Sequence, residues 1–430
     1  MIKYDTEQLI TLDKAHLWHP FTQMRDWNSP EHEPLVLVSG RGPWLVDSFG
    51  RRYLDGNSSI WTNVHGHGHP SINRAIREQL ESVAHTSFLG YTNPPAIELA
   101  ERLVQLLPGS PLNKVFLSDD GSTAIEVAIK MSVQYFLQNS QPEKIGFVAF
   151  DNAYHGDTLG ASSLGGISFF HDRFKSHQFP VTRIASVEEL LGIDGLQIAG
   201  LVVEPLIQGS AGMRTWPPGM LKTLRAWCDE WGVFLIFDEV MTGFGRTGTW
   251  FALNHENVFP DFLAIAKGLT GGYLPLAATL TTEKVFDGFL GSYEELKTLF
   301  YGHSYTGNAL ACAAALANIS IFDEEQTLDQ LQPKIQHLTA RLNALSRMPS
   351  VRAIRRCGFI AGIELGRSAE EPFDWRDQIG AKVCVAARKQ GLLTRPIRDV
   401  VVLMLPLCVT TVEIDLAVDA IAEGIQAVCG

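Results

Sequence analysis

Residues 262 to 272 read FLAIAKGLTGG, a run of apolar residues that ends on one lysine, Lys267, followed by glycine. An amine at the end of an apolar strand has three readings. It can be a surface lysine, a grip for phosphate, or a nucleophile that bonds covalently to carbonyls. Other strands in the chain also end on polar residues. KVFLSDDGSTAIE runs into Asp119, Asp120, Gly121, Ser122 and Thr123 before a helical pattern starts. Free backbone N–H groups and the helix dipole favour an anion there, although the same residues make an ordinary N-cap. VFLIFDEV ends on Asp238 and Glu239. A carboxylate there can hold a protonated ligand nitrogen or merely cap a turn. FDNAYHGDTLGA sets Tyr154 and His155 beside Gly156, where an aromatic could cover a planar ligand or simply occupy a turn.

Two further patterns point elsewhere. Gly243, Gly245 and Gly248 spell G-x-G-x-x-G. A dinucleotide fold needs that motif to open a helix. The sequel, TWFALNHENVFPD, is at best weakly helical, so the glycines read as a close-packed loop that places Arg246. His65, His67 and His69 alternate with glycines in NVHGHGHP. Three imidazoles could suit zinc, but the glycines and Pro70 favour a structural turn, and no metal is expected.

The elements that must hold these residues follow from periodicity. KIGFVAF, IAGLVVEP, VFLIFDEV and DFLAIAK are short β-rich runs, with helical stretches between several of them. PAIELAERLVQLL is an amphipathic helix, and GPWLVDSFGRRYLDG reads as two short strands turning at Gly50. This alternation predicts an α/β fold with a mostly parallel central sheet and helices on both faces. Ligands in such a sheet sit beyond the carboxyl ends of the strands, where the polar residues stand. A long helical pattern begins near residue 307, and a separate α/β pattern runs from there to residue 430. The expected division is 1–65 as part of a small domain, 66–310 as a large domain, and 311–430 as the rest of the small one.

Bulk composition narrows the class. The chain has 430 residues, 46% of them hydrophobic, and a net charge of -12. An acidic chain without a basic block is a poor partner for nucleic acid or an anionic membrane. No apolar run is long enough to span a bilayer, and the charged start MIKYDTEQLI is unlike a signal peptide. The six cysteines are scattered without paired spacing, which fits reduced thiols in a cytoplasmic protein.

Lysine, aspartate, aromatic and phosphate cradle, each following an apolar strand, together suit a phosphorylated pyridine aldehyde. The lysine forms an imine with the aldehyde, and the aspartate keeps the ring nitrogen protonated so that the ring accepts electrons. Burial lowers a lysine's pKa, which frees its amine to attack and to move protons.

The stretches LVVEPLIQGSAGM, LIFDEVMTGFGRTG, AIAKGLTGGYLPLAATLTT and GHSYTGNALACAAA resemble the class III aminotransferases of pyridoxal 5'-phosphate (PLP) fold type I, and the resemblance covers almost the whole chain. It implies a PLP enzyme working as a homodimer with active sites at the subunit interface. Lys267 would be the cofactor lysine and general base, and Asp238 the partner of the pyridine nitrogen. Tyr154 would stack on the ring, Gly121 and Ser122 would bind phosphate, and Glu204 would sit by the phenolic side. Ser304 would reach the phosphate of the neighbouring subunit. HLWHPFTQM and GNSSIWTNVHGHGHP are similar to members that aminate 8-amino-7-oxononanoate with S-adenosylmethionine as donor, a step of biotin biosynthesis. For those members Trp61 would line the substrate pocket and Arg395, in LLTRPIRD, would bind the keto substrate's carboxylate. Arg246 and Gly302 would lie near the substrate.

Three positions depart from the best-known members, which have Trp-Trp at Ile60-Trp61, and tyrosines at Phe21 and near Val402. These losses remove donors and stacking area around the amino donor. Alternatives are a lysine-dependent form, another class III ω-aminotransferase, or a PLP-fold scaffold without turnover.

Overall fold

The computed structural model describes residues 4–430. Its centre is a seven-stranded sheet. In chain order the strands are β1 (Leu112–Ser118), β2 (Gly146–Phe150), β3 (Val181–Ile184), β4 (Ile198–Val203), β5 (Phe234–Asp238), β6 (Phe262–Ile265) and β7 (Ala277–Thr282). Across the sheet they run β1-β7-β6-β5-β4-β2-β3. β7 is antiparallel to both neighbours, and the pairs from β6 through to β3 are parallel.

The central strands are apolar throughout because both faces are covered. Leu235 and Phe237 of β5 join the core that contains Leu224 of helix Met220–Trp231. Phe234 and Ile236 join the opposite core, with Ala124, Ile125 and Ala128 of helix Gly121–Gln138. Successive side chains therefore alternate between two buried faces. Ligands in such a sheet sit beyond the carboxyl ends of the strands.

The remaining strands are outlying. Leu37–Arg41, Trp44–Asp47 and Arg52–Asp55 form an antiparallel set that turns at Gly50, and Leu392–Leu393 adds to it in parallel. The two chain ends thus share a sheet. A second four-stranded sheet, built from Val351–Cys357, Ile360–Leu365, Pro396–Ile397 and Val400–Leu403, is antiparallel. The expected boundary after residue 310 falls inside helix Ala309–Glu324, which packs on helices Pro70–Ser82 and Pro94–Gln105 of the large part. The helix also touches the following helix, Thr327–Leu345.

All six cysteines are unpaired. No helix among the described residues is long and apolar enough to cross a membrane.

Candidate active site

Along the carboxyl edge of the sheet lies a cavity of about 440 Å³ lined by Gly121, Ser122, Tyr154, His155, Glu204, Asp238, Lys267 and Trp61, among others. Residues as distant in sequence as Trp61 and Lys267 meet there, and Gly121, Tyr154, Glu204, Asp238 and Lys267 come together because each ends or follows a strand pointing the same way.

Lys267 follows β6 in a left-handed conformation, φ 45°. Its Nζ lies 4.8 Å from the centre of the Trp61 ring. Burial holds its amine below the ordinary lysine value, against the opposing fields of Asp238 and Glu204. A neutral amine is thereby favoured relative to a surface lysine.

Asp238, at the end of β5, is 5% exposed. Its Oδ2 meets Nδ1 of the buried His155 at 2.7 Å, and its Oδ1 accepts the Val240 N–H at 3.1 Å. One carboxylate edge is therefore braced from behind. His155, beside Tyr154 in the sequence, is the residue that braces Asp238. Its Nε2 is buried without a partner among the described residues.

Glu204 follows β4 and accepts the Gly209 N–H at 2.8 Å and the Tyr154 N–H at 3.2 Å. Burial pushes its carboxyl up to about 7. The Tyr154 hydroxyl donates to Asp157 at 2.6 Å, which fixes the ring at the cavity wall.

At the other end of the cavity, helix Gly121–Gln138 begins. Asp120 caps it by accepting the Thr123 N–H at 2.9 Å. The N–H groups of Gly121 and Ser122 find no acceptor among the described residues. Asp120 is thus the cap, and the next two amides remain free. Gly156 closes against this turn, where a Cβ would come within 2.2 Å of Ser122 Oγ, so no larger residue fits.

Trp61 reaches the cavity by an unusual route. Ser58, Ser59, Ile60 and Trp61 have φ of 44°, 49°, 67° and 68°, a left-handed turn containing no glycine. Such a conformation costs roughly 1–2 kcal/mol per residue. Hydrogen bonds from Ser59 to Asp55, from Ser58 Oγ to Met404 O, and from the Trp61 indole to Asn57 hold it.

Arg246 completes that clamp. It is 1% exposed, and its charge acts on Lys267 from behind the cavity lining. Its guanidinium donates to the carbonyls of Leu405, Trp61 and Asn63 and to Ser58 Oγ. Burial lowers its pKa to about 10. Four fixed acceptors leave it a positioning residue for the left-handed turn. The glycine loop that carries it is closed by Glu239, which accepts from Thr242, Ala252 and Leu253; Gly245 and Gly248 supply its positive φ turns.

A second, wider groove opens outward from Lys267, Trp61 and Tyr154. Phe21, Ile60, Ile397 and Val402 are among its apolar lining, and Arg395 stands on its wall. Arg395 is exposed and forms no ion pair among the described residues. Gly302 and Ser304 line neither space in their own chain. Their loop is tied to the cavity rim by His303, whose Nδ1 meets Asp119 at 2.8 Å.

The three alternating histidines take different partners, although the His65 and His69 rings lie 6.0 Å apart. His65 meets the Asn318 carbonyl, His67 meets Asp55, and His69 caps helix Pro70–Ser82. Each has its own structural partner.

The donor set fits a phosphorylated pyridine aldehyde. Free amides stand at a helix start, a braced carboxylate and a lysine amine face the same space, and Gly156 leaves room where a side chain would fill it.

Comparison with known proteins agrees. The model of the family "Aminotransferase class-III" matches residues 27–425. A protein from Geobacter sulfurreducens named adenosylmethionine-8-amino-7-oxononanoate aminotransferase is 45% identical, over 100% of both chains. A protein of the same name from Nitratidesulfovibrio vulgaris is 48% identical over 98% of this chain and 82% of its own. Among solved structures, one of that name from Methanocaldococcus jannaschii superposes with a TM-score of 0.96 at 39% identity, covering 99% of this chain and 100% of the other. An (S)-enantioselective omega-transaminase from Thermomicrobium roseum gives 0.94 at 31% identity, covering 99% and 100%.

Proposed function

We propose that this chain, which belongs to the class III aminotransferase family and is a PLP-dependent aminotransferase, transfers an amino group to the C7 ketone of 8-amino-7-oxononanoate, giving 7,8-diaminononanoate in biotin biosynthesis. The observation that carries the substrate assignment is the groove, which has Lys267 and Arg395 in its lining together with apolar side chains such as Phe21, Ile60, Ile397 and Val402. A keto acid with a polymethylene chain and a terminal carboxylate matches that layout. The names of the full-length relatives support the same reading.

Bound PLP supplies an aldehyde that takes up the donor's amino group and a pyridinium ring that accepts electrons from the reacting carbon. The chain's residues do the rest. Gly121 and Ser122 would hold the phosphate, Asp238 the ring nitrogen, Tyr154 the ring face and Glu204 the phenolic side. Lys267 Nζ takes a proton from the reacting carbon of the donor and returns one to the acceptor, a role for which its lowered basicity suits it. Trp61 shields that amine from solvent.

Ser304 and Gly302 would act across a homodimer. The segments carrying them and residues 84–93 are joined by His85 to the Ser304 carbonyl and by Asn93 to the Gly307 carbonyl. Leu89, Tyr91, Phe300 and Tyr305 are exposed on these segments, an apolar set suited to a second subunit. The cytoplasm is the proposed location.

The test of the function is complementation. A bacterium lacking the diaminononanoate step should grow without biotin when it expresses this chain; failure of a well-expressed chain to restore growth would count against the assignment.

Arg395→Ala should act mainly on the keto acid. Losing a charged hydrogen-bonded contact costs about 1.5–3 kcal/mol, so the KM for 8-amino-7-oxononanoate should rise by roughly 10- to 150-fold. Steady-state kinetics check this, and unchanged constants would move the anchor to Arg398, also on the groove wall.

The donor is proposed to be S-adenosylmethionine. Trp61 remains to cover a sulfonium or adenine, a contact worth roughly 0.5–2 kcal/mol. Phe21, Ile60 and Val402 line the groove without a polar group, an observation that also favours lysine as an alternative donor. Ile60 is 44% exposed at its wall, so Ile60→Trp has space to add a ring and should lower the KM for S-adenosylmethionine. Reaction of the wild type with lysine alone would make it the lysine-dependent form.

A further inference from the structure

Four residues line both the inner cavity and the outer groove: Trp61, Tyr154, Lys267 and Ser210. The first three have roles above, and the polar tips of two of them are already engaged. The Trp61 indole N–H donates to Asn57, and the Tyr154 hydroxyl donates to Asp157. Ser210 has had no part in the account so far.

Ser210 sits at the tip of the hairpin formed by Ile207–Gln208 and Arg214–Thr215. Serine in a turn commonly bonds to its own backbone. This turn does not use it: the N–H groups of Gly212 and Met213 both donate to the Gly209 carbonyl. The Ser210 hydroxyl has no hydrogen bond among the described residues. The loop is nevertheless fixed. Glu204 accepts the Gly209 N–H at 2.8 Å, and Arg355, itself paired with Glu364, donates Nε–H to the Gly212 carbonyl at 2.8 Å. At Gly209 a Cβ would meet Met241 Sδ at 2.5 Å and the Trp61 ring at 3.2 Å, so the loop lies against the ring that covers Lys267. A free hydroxyl is thus held in a set place where the two spaces meet.

We propose that Ser210 donates a hydrogen bond to the carboxylate carried on the reacting carbon of the amino donor, and so selects α-amino acid donors. This rests on the aminotransferase reading and on S-adenosylmethionine as donor. The keto substrate does not compete for the contact. Its C7 bears no carboxylate, and its own carboxylate lies at the far end of the chain, toward Arg395. One groove can then serve both half-reactions, with the donor's carboxylate held near Lys267 and the acceptor's held at a distance.

The test compares wild type, Ser210→Ala and Ser210→Thr as holoenzymes in the two half-reactions separately. Ser210→Ala should lower kcat/KM for S-adenosylmethionine by at least about tenfold, as expected for one hydrogen bond to a charged group, with most of the change in KM. Ser210→Thr, which keeps the hydroxyl, should stay within about threefold of wild type, since a retained donor forfeits little of that bond. The KM for 8-amino-7-oxononanoate should not move in either variant. An unchanged donor rate in Ser210→Ala, an equal loss in Ser210→Thr, or a parallel loss in both half-reactions would overturn the assignment. So would a wild type that takes no donor with a carboxylate beside the reacting amine. If the wild type instead reacts with S-adenosylmethionine but leaves 8-amino-7-oxononanoate untouched, the proposed function fails while the donor half-reaction still decides Ser210.

Discussion

Lys267→Ala should abolish turnover while leaving the fold intact. General acid–base catalysis by a positioned group contributes about 10²–10⁴-fold, and among the described residues no second lysine lines the cavity to replace it. The nearest other titratable groups, Asp238 and Glu204, are committed to His155 and to backbone N–H groups. The loss should therefore reach at least about a thousandfold, toward the upper part of that range. Cofactor affinity should survive in part, because the helix start and Asp238 remain. Borohydride treatment of the wild type should add the cofactor's mass permanently to the peptide that contains Lys267, and the variant should show no such gain. Wild-type activity in the variant, or labelling at another lysine, would remove Lys267 from its role. The depressed basicity adds a pH consequence. Where Lys267 acts as the base, the rate falls as pH is lowered through its pKa, because the amine becomes protonated.

Asp238→Asn should keep the shape of the site and remove most of the rate. Asparagine is nearly isosteric and can still accept the Val240 N–H, but it carries no charge to hold a proton on a ring nitrogen. Electrostatic groups of this kind are typically worth about 10²–10³ in rate. His155 makes the site more sensitive still, since its contact with Asp238 is buried and its other nitrogen is unpartnered. The measurement is the rate of each half-reaction with PLP in excess, alongside thermal unfolding of both proteins. A loss below about tenfold, roughly 1.4 kcal/mol of barrier, would show that no essential ion pair exists there.

Much of the candidate site was legible because a parallel sheet buries its strands on both faces. β5 and β6 are apolar until Asp238 and Lys267, so a polar residue at the end of such a run announces the edge where ligands bind. The start of helix Gly121–Gln138 was legible for a related reason: a cap followed by glycine and serine leaves free amides. The pairing of His155 with Asp238 was not legible, since 83 residues separate them and only the sheet order brings them together. The left-handed turn at Ser58–Trp61 was hidden because no glycine marks it. Its stability comes from Asp55, Met404 and Arg246, and the last two lie more than a hundred residues away. For the same reason the carbonyl contacts of Arg246 were not legible: a buried guanidinium surrounded by backbone carbonyls leaves no local pattern. β7 was also unmarked. Its run of small residues and threonines carries no sign that it enters the sheet antiparallel between β1 and β6. No break in the pattern marks a domain boundary near residue 310, where helix Ala309–Glu324 is continuous.

The most direct test of the account is a single-turnover reaction of the purified holoenzyme. The enzyme is first converted by S-adenosylmethionine bearing ¹⁵N in its amino group, freed of excess donor, and then mixed with 8-amino-7-oxononanoate. The account predicts 7,8-diaminononanoate with the label at C7, close to one equivalent per active site, by mass spectrometry. Enzyme that accepts the labelled nitrogen but leaves 8-amino-7-oxononanoate unchanged would contradict the account's central claim.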